Sequence, residues 1–331
     1  MPVDLLQRRL VVVTGKGGVG KSTVAAALGL IAARAGRRVV VAEVGRRGDV
    51  LDTLDPPADA LRGDPTRVTE DDGERFVERP VALDGVAGSL HHVSISPEAA
   101  LREYLRDQLP IGAIADLLGS GKVFTGLTAA TPGLRELLAL GKVWELAQPE
   151  RRTPGAQAYD LCVLDAPASG HAVTMLGAPR QFATTARVGP VARQGDIIAA
   201  TLTDAAATAV VIVATPEELP VGEAIELEEA LVDRTGLHVA AGVVNAVLPD
   251  RFSGAERDAL RAGAPHDPAI AVADAHARRA HDQQRQLARL RRGLRAPVLT
   301  LPSAAGRRLG PEDVGALADR LTQGLTRVAA S

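Results

Sequence analysis

The sequence predicts an α/β fold: a mostly parallel sheet of about seven to eight strands, with helices on both faces and an inserted helical subdomain. Three observations predict it. Short β-branched runs alternate with helix-like stretches along the chain, a glycine-rich loop joins the first run to the first helix, and one long stretch lacks strands altogether. Strands alternating with helices argue a parallel sheet covered on both sides. Seven such runs spread over 331 residues favour a single wound domain, 1–331, rather than two.

The runs lie at 10–14, 39–43, 92–96, 161–164, 210–213 and 239–244, with a weaker one at 297–301. Residues 22–34 read as a helix closed by Gly36, and 216–235 as a helix whose acidic first turn suits an N-terminus. Between 98 and 146 there is no convincing strand, but leucines recur at helical spacing (Leu101, Leu105, Leu134, Leu137, Leu138), which predicts the inserted helical subdomain. Residues 254–295 are rich in Ala and Arg, and 276–295 read as a charged helix, either a solvated face or a partner surface. In the last helix, 312–328, Val314, Leu317, Leu321, Leu325 and Val328 share a face. Arg320 and Arg327 are its only cations, so packing on the sheet is expected rather than membrane contact.

Composition narrows the chemistry. Hydrophobic residues at 46% and charged residues at 24% give a globular profile. The net charge of -2 supplies no field for nucleic acid or anionic membrane, and 2% aromatics leave no base-stacking platform. No apolar run is long enough for a secretory signal or a membrane span, so a cytoplasmic protein without stable membrane insertion is expected. The single cysteine, Cys162, excludes an intramolecular disulfide framework and any Cys-rich zinc or all-Cys iron–sulfur site within one chain. Among 38 basic residues only Lys16, Lys21, Lys122 and Lys142 are lysines. Two of the four fall within six positions, which suggests that ammonium groups are needed there.

Those two lie in Gly15-Lys16-Gly17-Gly18-Val19-Gly20-Lys21-Ser22-Thr23, between a buried-looking strand and an amphipathic helix. The stretch satisfies G-x-x-x-x-G-K-[ST]. Its glycines let successive N–H groups turn inward onto phosphate oxygens, and the helix N-terminus adds its positive dipole end. Lys21 would bridge the β- and γ-phosphates of ATP, and the Ser22 hydroxyl would ligand Mg²⁺. The same residues contain Gly15-x-Gly17-x-x-Gly20, the dinucleotide fingerprint, with Glu43 near the place of a ribose-binding acid. A dinucleotide site has no use for Lys21-Ser22 directly after the last glycine, so the phosphate-binding loop of a P-loop NTPase is preferred. Farther on, the strand at 161–164 ends at Asp165, which can hold a Mg²⁺-bound water, and is followed by a Pro/Gly turn able to sense a γ-phosphate.

With Lys16 directly after the first glycine, the loop reads G-K-G-G-x-G-K-[ST] and resembles the deviant Walker loop of dimeric ATPases. The segment Asp165-Ala166-Pro167-Ala168-Ser169-Gly170-His171 is similar to the switch motif of the arsenite-pump and tail-anchored-protein-targeting ATPase family. Thr215-Pro216-Glu217-Glu218-Leu219-Pro220 with Glu223, Val243-Val244-Asn245, and Leu301-Pro302 also resemble that family's segments. The resemblance spans 10–325 and is loosest in 46–100 and 250–295. It implies a Mg²⁺-dependent ATPase that forms a homodimer, or a heterodimer with a paralogous ATPase, and drives a conformational change for an unknown client. It implies that Lys16 reaches a partner's nucleotide, that Asn245 and Pro302 sit by the adenine, and that the inserted helices meet the client.

Departures from the family's pattern matter as much. Without a C-x-x-C pair or several cysteines, neither a zinc-bridged dimer nor metalloid binding is supported, and Cys162 reads as a small core residue. Gapless placement puts Gly45 where the family has the aspartate that orients the attacking water. Asp49 or Glu43 would have to substitute, and Arg46 and Arg47 either contact phosphates or are solvated. The alternative is therefore a nucleotide-binding regulatory subunit with weak or no hydrolysis, paired with an active paralogue.

Overall fold

The computed structural model describes residues 5–45, 48–55, 75–108, 126, 131–186, 190–263, 267–304 and 309–330. Its sheet is built from β1 (Leu10–Gly15), β2 (Arg38–Val44), β3 (Arg79–Pro80), β4 (Ser89–Ile95), β5 (Leu161–Ala168), β6 (Thr208–Ala214), β7 (Val239–Val247) and β8 (Val298–Pro302). The order across the sheet is β3-β4-β2-β5-β1-β6-β7-β8. All neighbours are parallel except β3 and β4. β1 is buried at every position because it lies in the middle, between β5 and β6. The two-residue β3 has no counterpart among the seven runs read from the sequence, being too short to carry a pattern.

Ten helices occur among the described residues: α1 (Lys21–Arg34), α2 (Asp49–Leu54), α3 (Pro97–Gln108), α4 (Leu134–Leu146), α5 (Ser169–Ala186), α6 (Pro190–Thr203), α7 (Glu218–Thr235), α8 (Gly254–Gly263), α9 (Pro268–Gly293) and α10 (Pro311–Ala330). α8 buries no residue and packs against α9, while two apolar layers hold the other helices on the sheet. One contains Val40, Ala42, Leu140, Leu164, Ile212 and Leu231; the other contains Val11, Val13, Val39, Val41, Val314 and Leu317. α1 is buried on almost every side. Its alanines fit a helix enclosed by the sheet and α10, and at Gly29 a Cβ would come within 2.9 Å of Val41 Cγ2. α10 buries Val314, Leu317, Ala318 and Leu321 in the same layer, so this helix does pack on the sheet. No helix among the described residues is long and apolar enough to cross a membrane.

The structure revises several expectations. The chain does not turn directly after Asp165: β5 runs on through Pro167 to Ala168, and α5 opens at Ser169. A bulge makes this possible, since Val13 pairs with Asp165 but Gly15 pairs with Ala168, leaving one extra residue on β5. The charged helix expected at 276–295 starts at Pro268, where Asp267 caps it by accepting from Ala269 N at 2.7 Å. The stretch 98–146 yields α3 and α4; residues 109–125 and 127–130 lie outside the described residues. α4 packs not only on α3 but on α5 and α6, neither of which its leucine spacing foreshadowed. Gly195 lets α6 approach α5 closely, because a Cβ there would lie 2.9 Å from Pro179 O.

Arg151 ties this helical layer to the sheet. Its guanidinium is buried and donates to Glu78 at 2.5 Å and Glu145 at 2.6 Å. Lys142 bridges Glu145 at 3.1 Å and Glu103 at 2.8 Å. Burial pushes the Glu78 and Glu145 carboxyls up, but Arg151, together with Tyr159 at Glu78 and Lys142 at both, outweighs it and leaves both below the usual carboxylate range. Cys162 is fully buried in β5, and burial pushes its thiol up to about 12.

Candidate nucleotide-binding site

The loop from Gly15 to Lys21 connects the C-terminal end of β1 to α1, and two of its glycines are required by contact as well as by dihedral. At Gly15 (φ +143°) a Cβ would lie 2.1 Å from Val213 O, and at Gly20 (φ +94°) it would lie 2.2 Å from Asn245 Nδ2. Gly17 and Gly18 are different: a Cβ at either meets nothing within 4 Å. Those two face an open cleft of 360 Å³, also lined by Gly20, Lys21, Ser22, Thr23, Asp49, Asp52, Thr53 and Ala168. An open glycine loop over a helix N-terminus is the cradle a polyphosphate needs.

The structure brings several of the residues singled out by sequence to this cleft. Ser22 Oγ donates to Asp165 Oδ2 at 2.6 Å, although 143 positions separate them. Lys21 is buried and donates to Lys16 O at 3.0 Å, so its side chain curls back over the loop. Val19 is buried under the loop, and Asn245 Nδ2 donates to its carbonyl at 3.0 Å. Asn245 reaches it because β7 is irregular between Val244 and Val247, where Ala246 takes φ +60°. That contact ties β7 to the loop and engages one of the two Asn245 N–H donors. Pro302 ends β8 opposite Val247 and does not line the cleft. Lys16 is half-buried and ion-paired with Glu223 of α7 in its own chain.

The two candidate acids separate. Asp49 lies in the first turn of α2 and lines the cleft. Glu43 does not; it is fully buried, its Oε2 lies 2.6 Å from His92 Nε2, and it accepts from Val50 N at 3.3 Å. Strand alternation puts Glu43, Asp165 and His92 on one face, since Glu43 pairs with Asp165 and Val41 with His92 across β5, β2 and β4. Glu43 thus anchors α2 from beneath, with Asp49 above. Gly45 takes φ +94°, its N–H donating to Ile95 O at 2.9 Å. A side chain there would meet open space but carry the strain of this φ, and glycine supplies no acid to the cleft. Arg46 and Arg47 lie outside the described residues.

Sequence reasoning missed Asp52, which is buried and lines the cleft beside Asp49, and it missed His92 as the partner of Glu43. The spacing of Asp49 and Asp52 on one helical turn was available as a signal; nothing in sequence announced the His92 contact, which arises from sheet order. His171 is exposed in the first turn of α5.

Comparison with known proteins agrees with this geometry. The anion-transporting ATPase family matches residues 8–193, more than half of the chain. ATPase BagA of Mycobacterium tuberculosis is 31% identical over 250 residues, covering 75% of this chain and 68% of that protein. Protein Rv2184c of the same organism is 30% identical, covering 95% of this chain and 75% of that protein. ATPase GET3C of Arabidopsis thaliana is 27% identical over 188 residues, 54% of this chain and 43% of that protein. By fold, phosphate loop and sequence, the chain belongs to the anion-transporting ATPase family.

Proposed function

We propose that the chain is a Mg²⁺-dependent ATPase that dimerises around nucleotide and uses hydrolysis to reset a client-binding surface. The observation that carries this reading is the Ser22–Asp165 hydrogen bond beneath an open glycine loop. A hydroxyl and a carboxylate in contact at the end of a phosphate loop are the oxygen donors that Mg²⁺ takes. The residues present therefore fit both ATP and the metal. Gly17, Gly18 and the first turn of α1 would hold phosphate oxygens by backbone N–H groups, Lys21 would exchange Lys16 O for the β- and γ-phosphates, and Asp165 would hold Mg²⁺ through water. When bound, Mg²⁺ supplies positive charge against the developing negative charge on the phosphates. Asp49 is the acid we assign to orient the attacking water, because it lines the cleft and Glu43 does not. Asn245 and Pro302 are assigned to the adenine side, at the ends of β7 and β8.

Lys16 is assigned to the nucleotide of a partner subunit. Its pair with Glu223 is partly exposed, and such pairs are worth roughly 0–1 kcal/mol. Exchanging that carboxylate for a phosphate across an interface costs little. The client is assigned to the inserted helices of 98–146, of which α3 and α4 are described.

The test is phosphate release by the purified chain with and without Mg²⁺, run beside a mass measurement with and without ATP. Mg²⁺-dependent turnover and a doubling of mass with nucleotide are expected. Turnover lost in Lys21→Ala yet unaffected in Lys16→Ala would leave the ATPase standing and remove the cross-subunit role. The second reading, a nucleotide-binding subunit with weak hydrolysis, is favoured by one observation: Gly45 carries no side chain and Glu43 is committed to His92 and Val50. Ordinary turnover by the chain alone would rule it out.

A further inference from the structure

β8 is the last strand on its side of the sheet. Its register against β7 fixes where its backbone points. Val298 sits opposite Gly242 and Thr300 opposite Val244, and Gly242 N donates to Pro297 O at 2.9 Å. In a parallel ladder, the residue seated directly opposite a bonded partner turns its own N–H and C=O to the far side. Val298 and Thr300 therefore aim their backbone groups at the open edge. Leu299 and Leu301 meanwhile bury their side chains with Val314 and Leu317 of α10.

A groove of 510 Å³ runs along this edge, lined by residues 298–303 and 247–249, by α10, and by Arg291 of α9. Arg291 from α9 and Arg320 and Arg327 from α10 rim it. All three are exposed, and none has a carboxylate partner among the described residues. An unpaired strand edge is a template for another strand. Three guanidiniums beside it select the charge of what is added, as Arg clusters select acidic motifs. A second copy of this chain would bring three guanidiniums against three, which is repulsive. No aromatic residue lines the groove, so there is no platform for nucleic-acid bases.

We propose that the β8 edge is a docking site for an extended acidic segment of a partner protein, added to the sheet as a further strand. Main-chain hydrogen bonds to Val298 and Thr300 hold the segment, and Arg291, Arg320 and Arg327 pair with its carboxylates. The site is one strand from the phosphate loop: Ser303 N donates to Val247 O at 2.9 Å, and β7 carries Asn245, which holds Val19.

Fluorescence anisotropy of a labelled peptide of six alternating Glu and Val residues tests this on the full chain. Saturable binding is expected, weakening at least fivefold between about 50 and 300 mM salt. The Arg320→Glu/Arg327→Glu double variant is expected to weaken it at least tenfold. Thr300→Pro is expected to do the same. Because the Thr300 N–H faces outward, proline there leaves the β7–β8 ladder whole. N-methylation of alternate peptide residues, which blocks strand pairing without touching the protein, is expected to match it. No binding by the acidic peptide, or equal binding by a Lys/Val counterpart, overturns the proposal. So does binding lost in the Arg variant but kept by the N-methylated peptide, with a single-stranded RNA competing. That result marks an anion cluster rather than a strand site.

Discussion

Ser22 Oγ donates to Asp165 Oδ2 at 2.6 Å and so joins the first turn of α1 to β5. Asp165 is nearly buried, and its charge there is useful for polarising a hydroxyl or holding a cation. Asp165→Asn keeps the shape and removes the charge. The Mg²⁺-dependent part of ATP affinity is expected to fall by about 10- to 100-fold, the usual effect of losing an outer-shell metal partner. Titration of ATP with and without Mg²⁺ measures it; an unchanged difference between the two titrations would exclude a metal role for Asp165.

The glycines of the phosphate loop are expected to respond unequally. Gly18 (φ +81°) has open space where a Cβ would go, so Gly18→Ala carries backbone strain of about 1–2 kcal/mol and leaves the fold intact. Gly15→Ala drives a Cβ into the Val213 carbonyl, which belongs to a central strand and has nowhere to move. It is expected to lower the thermal midpoint well beyond Gly18→Ala, and nucleotide binding is expected to be lost with the fold. Equal melting of the two variants would show that the Val213 contact is not limiting.

Much of this was legible from the chain because the signals were local. The loop from Gly15 to Thr23 is contiguous, and its chemistry depends on spacing alone. The strand cores were equally legible, since a parallel strand buried on both faces writes a continuous apolar run. What sequence did not disclose is what the sheet order creates. β2 lies between β4 and β5, and that adjacency brings Glu43 to His92 and leaves Asp49, with Asp52, facing the cleft. Asn245 was read as a partner of adenine; its contact with Val19 depends on the irregularity around Ala246, which no periodicity encodes. The helix α5 was hidden for another reason: Pro167 and Gly170 read as a turn, yet Pro167 lies at the bulge of β5 and Gly170 sits in the first turn of α5.

Cys162 offers a direct probe of the core. Its thiol is fully buried between β1 and β2, and burial pushes it up to about 12. The thiolate is the nucleophile, so at neutral pH the native chain is expected to resist iodoacetamide and to react with one equivalent only after denaturation. Rapid labelling of the native chain would mean that β5 opens far more readily than a central strand should.

Arg151 supplies the strongest pH-dependent prediction. Glu78 and Glu145 are depressed below their ordinary range chiefly because Arg151 donates to both against the opposing effect of burial. A depressed carboxyl contributes stability that is fully present above its unfolded value, roughly pH 4.3–4.5, and is lost as pH falls through the folded value below that. The wild-type chain is therefore expected to hold its stability down to about pH 5 and to lose it progressively beneath pH 4. Arg151→Met leaves two buried carboxylates without this cation, a change that costs about 3–5 kcal/mol near neutrality. Burial is then opposed by the Tyr159 hydroxyl at Glu78 and by Lys142 at both, so both carboxyls are expected to rise, and acidification toward pH 5 is expected to relieve the variant. The stability gap between wild type and variant, read from urea midpoints at pH 7.5 and pH 5, is expected to narrow on acidification. A gap that stays constant or widens would mean that Arg151 acts by packing against Tyr159, whose ring lies 5.4 Å from its guanidinium carbon, rather than by charge.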